Sequence, residues 1–213
     1  MSSRETVLNR IRRALADVPV TEVPRDVPVD RCYLRRHGER TDEQSAELLA
    51  ENLADYRAVV HRCTDAELPS RIASLLAAHG SRTVVAPAGA PARWLSESTG
   101  VERVPEDVTA HQLDTVDSVL TGCAVAIAET GTVVLDASPD QGRRRITLVP
   151  DHHICVVRVP EQVVDSVPEA LERLSPQRPL TWISGPSATS DIELDRVEGV
   201  HGPRELEVVL VTS

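Results

Sequence analysis

The sequence predicts an α/β fold: a mainly parallel sheet flanked by helices, with a strand-rich hairpin insertion and an appended N-terminal helix. Three observations predict it. Helix and strand periodicities alternate from Thr41 to Val104. Residues 118–158 then carry β-branched runs with no room for long helices. Finally, an apolar helical stripe and two more strands restore the alternation near the end of the chain.

Each element has its own local cause. Val7, Leu8, Ile11, Ala14 and Leu15 fall on one face of a helix over residues 3–17. Residues 18–30 contain Pro19, Pro24 and Pro28 and read as an extended linker. Residues 1–30 are therefore an appendage, and residues 31–213 one α/β domain. Thr41 or Asp42 caps a helix to about Tyr56, and residues 57–62 make a strand around Ala58–Val60. A second helix over 67–79 stops at Gly80. Thr83–Ala86 is a short buried strand, followed by a short helix at Pro91–Ser96 and a strand near 101–104. Ala124–Ala128 and Thr132–Asp136 form a hairpin through Glu129-Thr130-Gly131, with Gly131 at positive φ. Strands are expected at Ile146–Val149 and Ile154–Val159, then a helix carrying Val163, Val164, Val167, Leu171 and Leu174. Leu180–Ser184 and Glu205–Val211 are the last two strands.

Composition excludes several function classes. The formal net charge is −10, which disfavours collection on a phosphate backbone. All 23 basic residues are Arg, so neither a P-loop lysine nor Schiff-base chemistry is available. There is no Phe and only two Trp and two Tyr, too few rings for a nucleic-acid stacking platform. Cys32, Cys63, Cys123 and Cys155 are scattered without a C-x-x-C, against a disulfide framework, a cysteine-rich metal site or an iron–sulfur cluster on this chain. Cys123 and Cys155 read as small apolar residues of buried strands. The first twenty residues lack an apolar signal core and the longest apolar run is short, so a cytoplasmic protein without a membrane span is expected. The ten glycines include no G-x-G-x-x-G.

Five segments can carry chemistry. Ser184-Gly185-Pro186-Ser187-Ala188-Thr189-Ser190-Asp191 follows a strand; its hydroxyls and backbone N–H groups suit an anion, and ligands in parallel α/β sheets bind beyond the carboxyl ends of strands. The same groups can instead cap a helix or close a turn. Gly199-Val200-His201-Gly202-Pro203-Arg204 is a tight turn fixing His201, a candidate acid or base, and Arg204, a carboxylate clamp. Asp191 and His201 are the catalytic candidates. Thr130, Gly131 and Thr132 can present hydroxyls from a hairpin tip or simply turn the chain. In Asp151-His152-His153 the two histidines face opposite sides of a strand, so a metal would need Asp151 or His201 to join across the fold, and no metal site is assigned. Arg143-Arg144-Arg145 is a positive spot in an acidic chain, or a solvated loop.

Together these segments resemble the lactate-utilisation protein C family, built on the LUD domain. The matching residues are Ala128-Glu129-Thr130-Gly131-Thr132, Gly142-Arg143-Arg144, Leu148-Val149-Pro150-Asp151-His152-His153-Ile154, Ser184-Gly185-Pro186-Ser187, Asp191-Ile192-Glu193 and Gly199-Val200-His201-Gly202-Pro203-Arg204. The resemblance implies a fold like the ribose-phosphate isomerase and CoA-transferase group. It implies a part in oxidising L-lactate to pyruvate within a three-component system whose iron–sulfur clusters sit on partner proteins. This chain then carries no cofactor and does not oxidise lactate alone; it is an accessory or ligand-binding subunit. The alternative is a stand-alone isomerase or transferase acting on a small carboxylate, sugar phosphate or CoA ester. The ligand-binding set is Thr130, Gly131, Thr132, Gly185, Pro186, Ser187, Thr189, Asp191, Gly202 and Arg204. The family pattern has Arg where this chain has Ala188 and Ala where it has Ser190, which shifts anion binding towards Arg204 or Arg143–Arg145.

The linker lets the first helix fold back on its own domain or dock on a second subunit of a homo-oligomer. Deleting residues 1–20 and measuring the oligomer mass separates the two: an unchanged mass rejects the partner role.

Overall fold

The computed structural model describes residues 3–17, 32–189, 197–198 and 202–212. Its contacts divide the chain into two units, residues 1–34 and 35–213. The first unit holds helix α1 (Ser3–Ala14), with Glu5 in its first turn and Arg12 and Arg13 in its last, each complementing the helix dipole. Val7, Ile11 and Leu15 of its apolar stripe are exposed. The proline-rich stretch 18–30 lies outside the described residues.

The second unit begins its regular structure at Thr41. The Thr41 hydroxyl accepts the Gln44 N–H while the Gln44 side chain accepts the Thr41 N–H, and this capping box starts α2 (Asp42–Asp55). Strand β1 (Val59–Thr64) follows, then α3 (Leu68–His79), which opens with Pro69 in its first turn and ends at Gly80 in the left-handed region. Next come β2 (Thr83–Val85), a 3₁₀ turn (Ala92–Leu95), β3 (Glu102–Val104), α4 (Ala110–Leu113) and β4 (Ser118–Thr121). The hairpin is β5 (Val125–Ile127) and β6 (Thr132–Leu135), joined through a 3₁₀ turn (Ala128–Thr130) and Gly131 at φ +55°, as its Glu-Thr-Gly link predicts. The chain continues through β7 (His152–Val159), β8 (Val163–Val164), α5 (Val167–Arg173), β9 (Thr181–Ile183), β10 (Ala188–Thr189), β11 (Val197–Glu198) and β12 (Glu205–Thr212).

Six strands form one parallel sheet in the order β1-β12-β7-β4-β2-β3. Its central strands β7 and β12 are almost continuously apolar because both faces are covered. On one face α3 packs Leu68, Ile72 and Leu76 against Ile154, Val156, Val209 and Val211. On the other, α2 supplies Leu49 and Leu53 against Cys155, Val157, Val208 and Leu210. The hairpin adds Ala126 and Val133 to that second layer. It belongs to a four-stranded sheet of order β8-β5-β6-β9, in which β5–β6 and β6–β9 are antiparallel. The predicted α/β class, mainly parallel sheet and hairpin insertion are all present.

Two expected elements differ. Residues 146–149, expected as a strand, instead include the end of a 3₁₀ turn, Arg144–Thr147, whose Thr147 hydroxyl donates to the Arg144 carbonyl. Ile146 is buried against Val85, Leu113 and Val119, and one inward apolar side chain needs no strand to place it. Val163 and Val164, expected in a helix, pair in parallel with β5 as β8; Ser166 then caps the helix, its hydroxyl accepting the Glu169 N–H.

Close packing ties the two sheets together at the end of α2. A Cβ on Gly131 would lie 2.6 Å from the Asn52 backbone, and one on Gly185 (φ +80°) would lie 2.2 Å from the Tyr56 carbonyl oxygen. Gly80 has a similar φ of +75° but open space around it. Gly185→Ala should therefore cost more than the roughly 1–3 kcal/mol of backbone strain alone, and Gly80→Ala about that strain only. Urea midpoints of the two variants check this; equal losses would contradict it.

Candidate functional site

A cavity of about 310 Å³ opens at the amino ends of β7 and β12. Its wall is built from three chain segments: Arg144, Thr147 and Leu148; Thr181 to Ser187; and Gly202, Pro203 and Leu206. His153, second residue of β7, closes its floor. The Ser187 N–H donates to the Pro203 carbonyl at 2.8 Å, which joins the two polar segments singled out in the sequence.

Ser184 follows β9 of the smaller mixed sheet, and the cavity lies at the amino ends of the parallel strands. The expected location beyond the carboxyl ends of a parallel sheet is thus corrected. The reason is topological: β9 pairs antiparallel with β6. Its end therefore meets the start of β12.

Of the expected site residues, Gly185, Pro186, Ser187 and Gly202 line this cavity. Arg204 instead lines an adjoining open groove of about 890 Å³, with Asp114, Asp117, Asp151 and His79, and its Nε lies 3.5 Å from Asp151 Oδ1. Arg144 lines both spaces. Among the described residues its side chain makes no ion pair or hydrogen bond, so its five donors remain available to an anion. Thr130, Gly131 and Thr132 are placed next to the cavity wall rather than in it. Thr130 Oγ1 donates to Thr132 Oγ1 at 2.8 Å, which sits 2.7 Å from Ser184 Oγ, and this hydroxyl chain fastens the hairpin tip to the polar segment. Thr189 lies in β10, paired with Val197 of β11. Asp191 and His201, the catalytic candidates, lie outside the described residues.

His152 and His153 do face opposite sides of β7. His153 Nε2 lies 2.8 Å from Thr121 Oγ1, while its Nδ1 has no hydrogen-bond partner among the described residues. Complete burial, and secondarily the charge of His152, push its pKa from 6.5 down to about 3. His152 points to the α3 face. Its Nδ1 lies 2.8 Å from Ser118 Oγ, which lies 2.6 Å from Ser81 Oγ. Its ring stacks on His79 at 4.1 Å between centroids, and its Nε2 sits 3.6 Å from Glu207 Oε1. Burial works against the Glu207 carboxylate, yet His152 and His61 more than offset it and hold its pKa below the ordinary value. His61 Nε2 is 3.0 Å from Glu207 Oε2. Sequence reasoning missed His61, His79, Glu205, Glu207 and Trp182. No local motif marks them; the register of β1, β12 and β7 and the end of α3 gather the first four around His152.

Comparisons with known proteins agree on one relationship. The LUD domain family model matches residues 46–211. Lactate utilization protein C of Deinococcus radiodurans is 52% identical over 165 residues, covering 76% of each chain. That of Geobacillus kaustophilus is 32% identical, covering 70% of this chain and 71% of its own. The crystal structure of a DUF162 family protein from Deinococcus radiodurans superposes with a TM-score of 0.70 at 41% identity, covering 81% of this chain and 99% of that one.

The His153 environment carries a pH prediction. Between pH 6.5 and about 3 the unfolded chain binds a proton at this residue that the folded chain refuses, so stability falls as pH drops through that window. Thermal unfolding between pH 7 and 5, above the carboxylate range, should show a falling midpoint whose slope shrinks in His153→Gln. An identical slope in the variant would contradict the assignment.

Proposed function

The chain belongs to the LUD domain family, and from that premise we propose that it works in lactate utilisation as an accessory, ligand-binding subunit beside iron–sulfur partner proteins. Relatives named lactate utilization protein C, similar over most of their length, support the process. One observation supports the ligand-binding part: an Arg144 guanidinium without an ion pair or hydrogen bond among the described residues lines a cavity walled by the Ser184–Ser187 segment and residues 202–203. A guanidinium takes a carboxylate bidentately. About 310 Å³ suits a small carboxylate of the lactate or pyruvate kind.

Hydride removal from C2 of lactate requires an electron acceptor. This reading assigns the acceptor to the iron–sulfur partners, and holding or handing over the carboxylate to this chain. Arg144 here takes the place of the family arginine that Ala188 lacks. Arg204 already faces Asp151 and is the weaker choice.

Trp182 supplies the readout, because it lines the cavity while Trp94 is buried on the α3 side of the sheet. Titration with L-lactate and with pyruvate should change Trp182 fluorescence. Arg144→Ala should weaken binding about tenfold or more, the loss expected of a charged hydrogen-bonding partner. Arg144→Ala should also reduce growth on L-lactate in a strain whose own lactate utilization protein C has been replaced by this chain. Unchanged fluorescence with both acids, or full growth of the variant, would contradict the reading.

A further inference from the structure

The α3 face of the sheet carries a second polar cluster, independent of the cavity just described. His79 ends α3, His152 begins β7 and Glu205 begins β12. One ligand-capable atom from each lies within 4.8 Å of the other two. Parallel register sets Ser118, His152 and Glu205 side by side across β4, β7 and β12.

We infer that His79, His152 and Glu205 form a binding site for a divalent transition metal of the zinc class. His152 is the decisive member. It is completely buried, and among the described residues its Nε2 has no hydrogen-bond partner, although it lies 3.6 Å from the Glu207 carboxylate. When Nδ1–H donates to Ser118, whose hydroxyl donates on to Ser81, Nε2 holds a buried lone pair. A buried lone pair 3.6 Å from Glu207 Oε1 is unfavourable, and a cation held at Nε2 by the neighbouring His79 and Glu205 offsets it. The serine pair orients the ring as outer-shell partners orient metal-bound imidazoles.

The remaining features fit the same cation. His79 sits on the last turn of α3, where the helix carbonyls favour positive charge. Its Nδ1 is already 3.0 Å from Glu205 Oε2. Two imidazoles and one carboxylate are a zinc-type donor set. The stacked rings must fan apart for both nitrogens to reach one ion. His79 is part-exposed and Glu205 exposed, so the movement falls to them rather than to the buried His152. His79 also lines the open groove, which leaves further coordination to solvent or to a ligand there.

The test uses the tag-free full chain carrying Cys32→Ser, which removes the exposed thiol. After chelator treatment, calorimetric titration with zinc chloride should show one equivalent bound. Cobalt(II) should produce a visible absorption band. His79→Ala and Glu205→Gln, both at accessible positions, should each weaken zinc at least tenfold with unchanged circular dichroism. Ser118→Ala should weaken it about tenfold through the ring orientation alone. No stoichiometric uptake would overturn the site. Uptake indifferent to His79→Ala and Glu205→Gln would overturn it equally.

Discussion

The structure depends on the last strand passing between the first and the seventh. β12 lies in the middle of the parallel sheet and pairs with β1 over Glu207–Thr212 and with β7 over its whole length. Without it β1 has no hydrogen-bonded neighbour in that sheet. Insertion covers Val208 and Leu210 with α2 and Val209 and Val211 with α3, so both apolar layers close in one event. It also pins Gly202 and Pro203 at the amino end of the sheet, where Ser187 reaches the Pro203 carbonyl. The cavity is thus a consequence of strand order: its three walls come from distant stretches and meet only when β12 is in place.

Alternation along β7 then divides the chemistry. Adjacent side chains of a strand must leave on opposite faces. His153 goes to the cavity floor, neutral and tied to Thr121, while His152 goes under α3 among carboxylates and two further histidines. Two neighbouring residues of one type therefore serve unlike surroundings. The glycines make the complementary contribution. Gly131 and Gly185 let the smaller sheet press on the end of α2, and Asn52 Nδ2 donates to the Ala128 carbonyl at the same junction. That contact sets the position of the 184–187 segment relative to the parallel sheet.

Much of this was legible in the sequence because its causes are local. Thr41 with Gln44, Gly80 after an apolar stripe, and Glu-Thr-Gly between β-branched runs each specify an element within a few residues. The polar segments at 184–187 and 202–204 were legible for the same reason, since glycine and proline mark turns. Other features depend on pairing across the sheet. Arg144 looked no different from Arg143 or Arg145 until the 3₁₀ turn aimed it at the cavity, and that turn was hidden by the β-branched Ile146 and Thr147. His79 and Glu205 are 126 residues apart and meet only through the register of β12 beside β7. Asp151 was read as a possible metal partner but faces Arg204, because it stands just before β7 as Arg204 stands just before β12. The segment at 184–187 does follow a strand, but that strand belongs to the mixed sheet, whose polarity a single strand and its following loop do not reveal.

The central claim is that the cavity beside Arg144 receives a small carboxylate. Crystals grown with saturating pyruvate or L-lactate test it most directly. The account predicts a carboxylate within hydrogen-bonding distance of the Arg144 guanidinium and of the Ser184–Ser187 segment. A cavity holding only water at saturation, with the acid bound elsewhere or not at all, would contradict it.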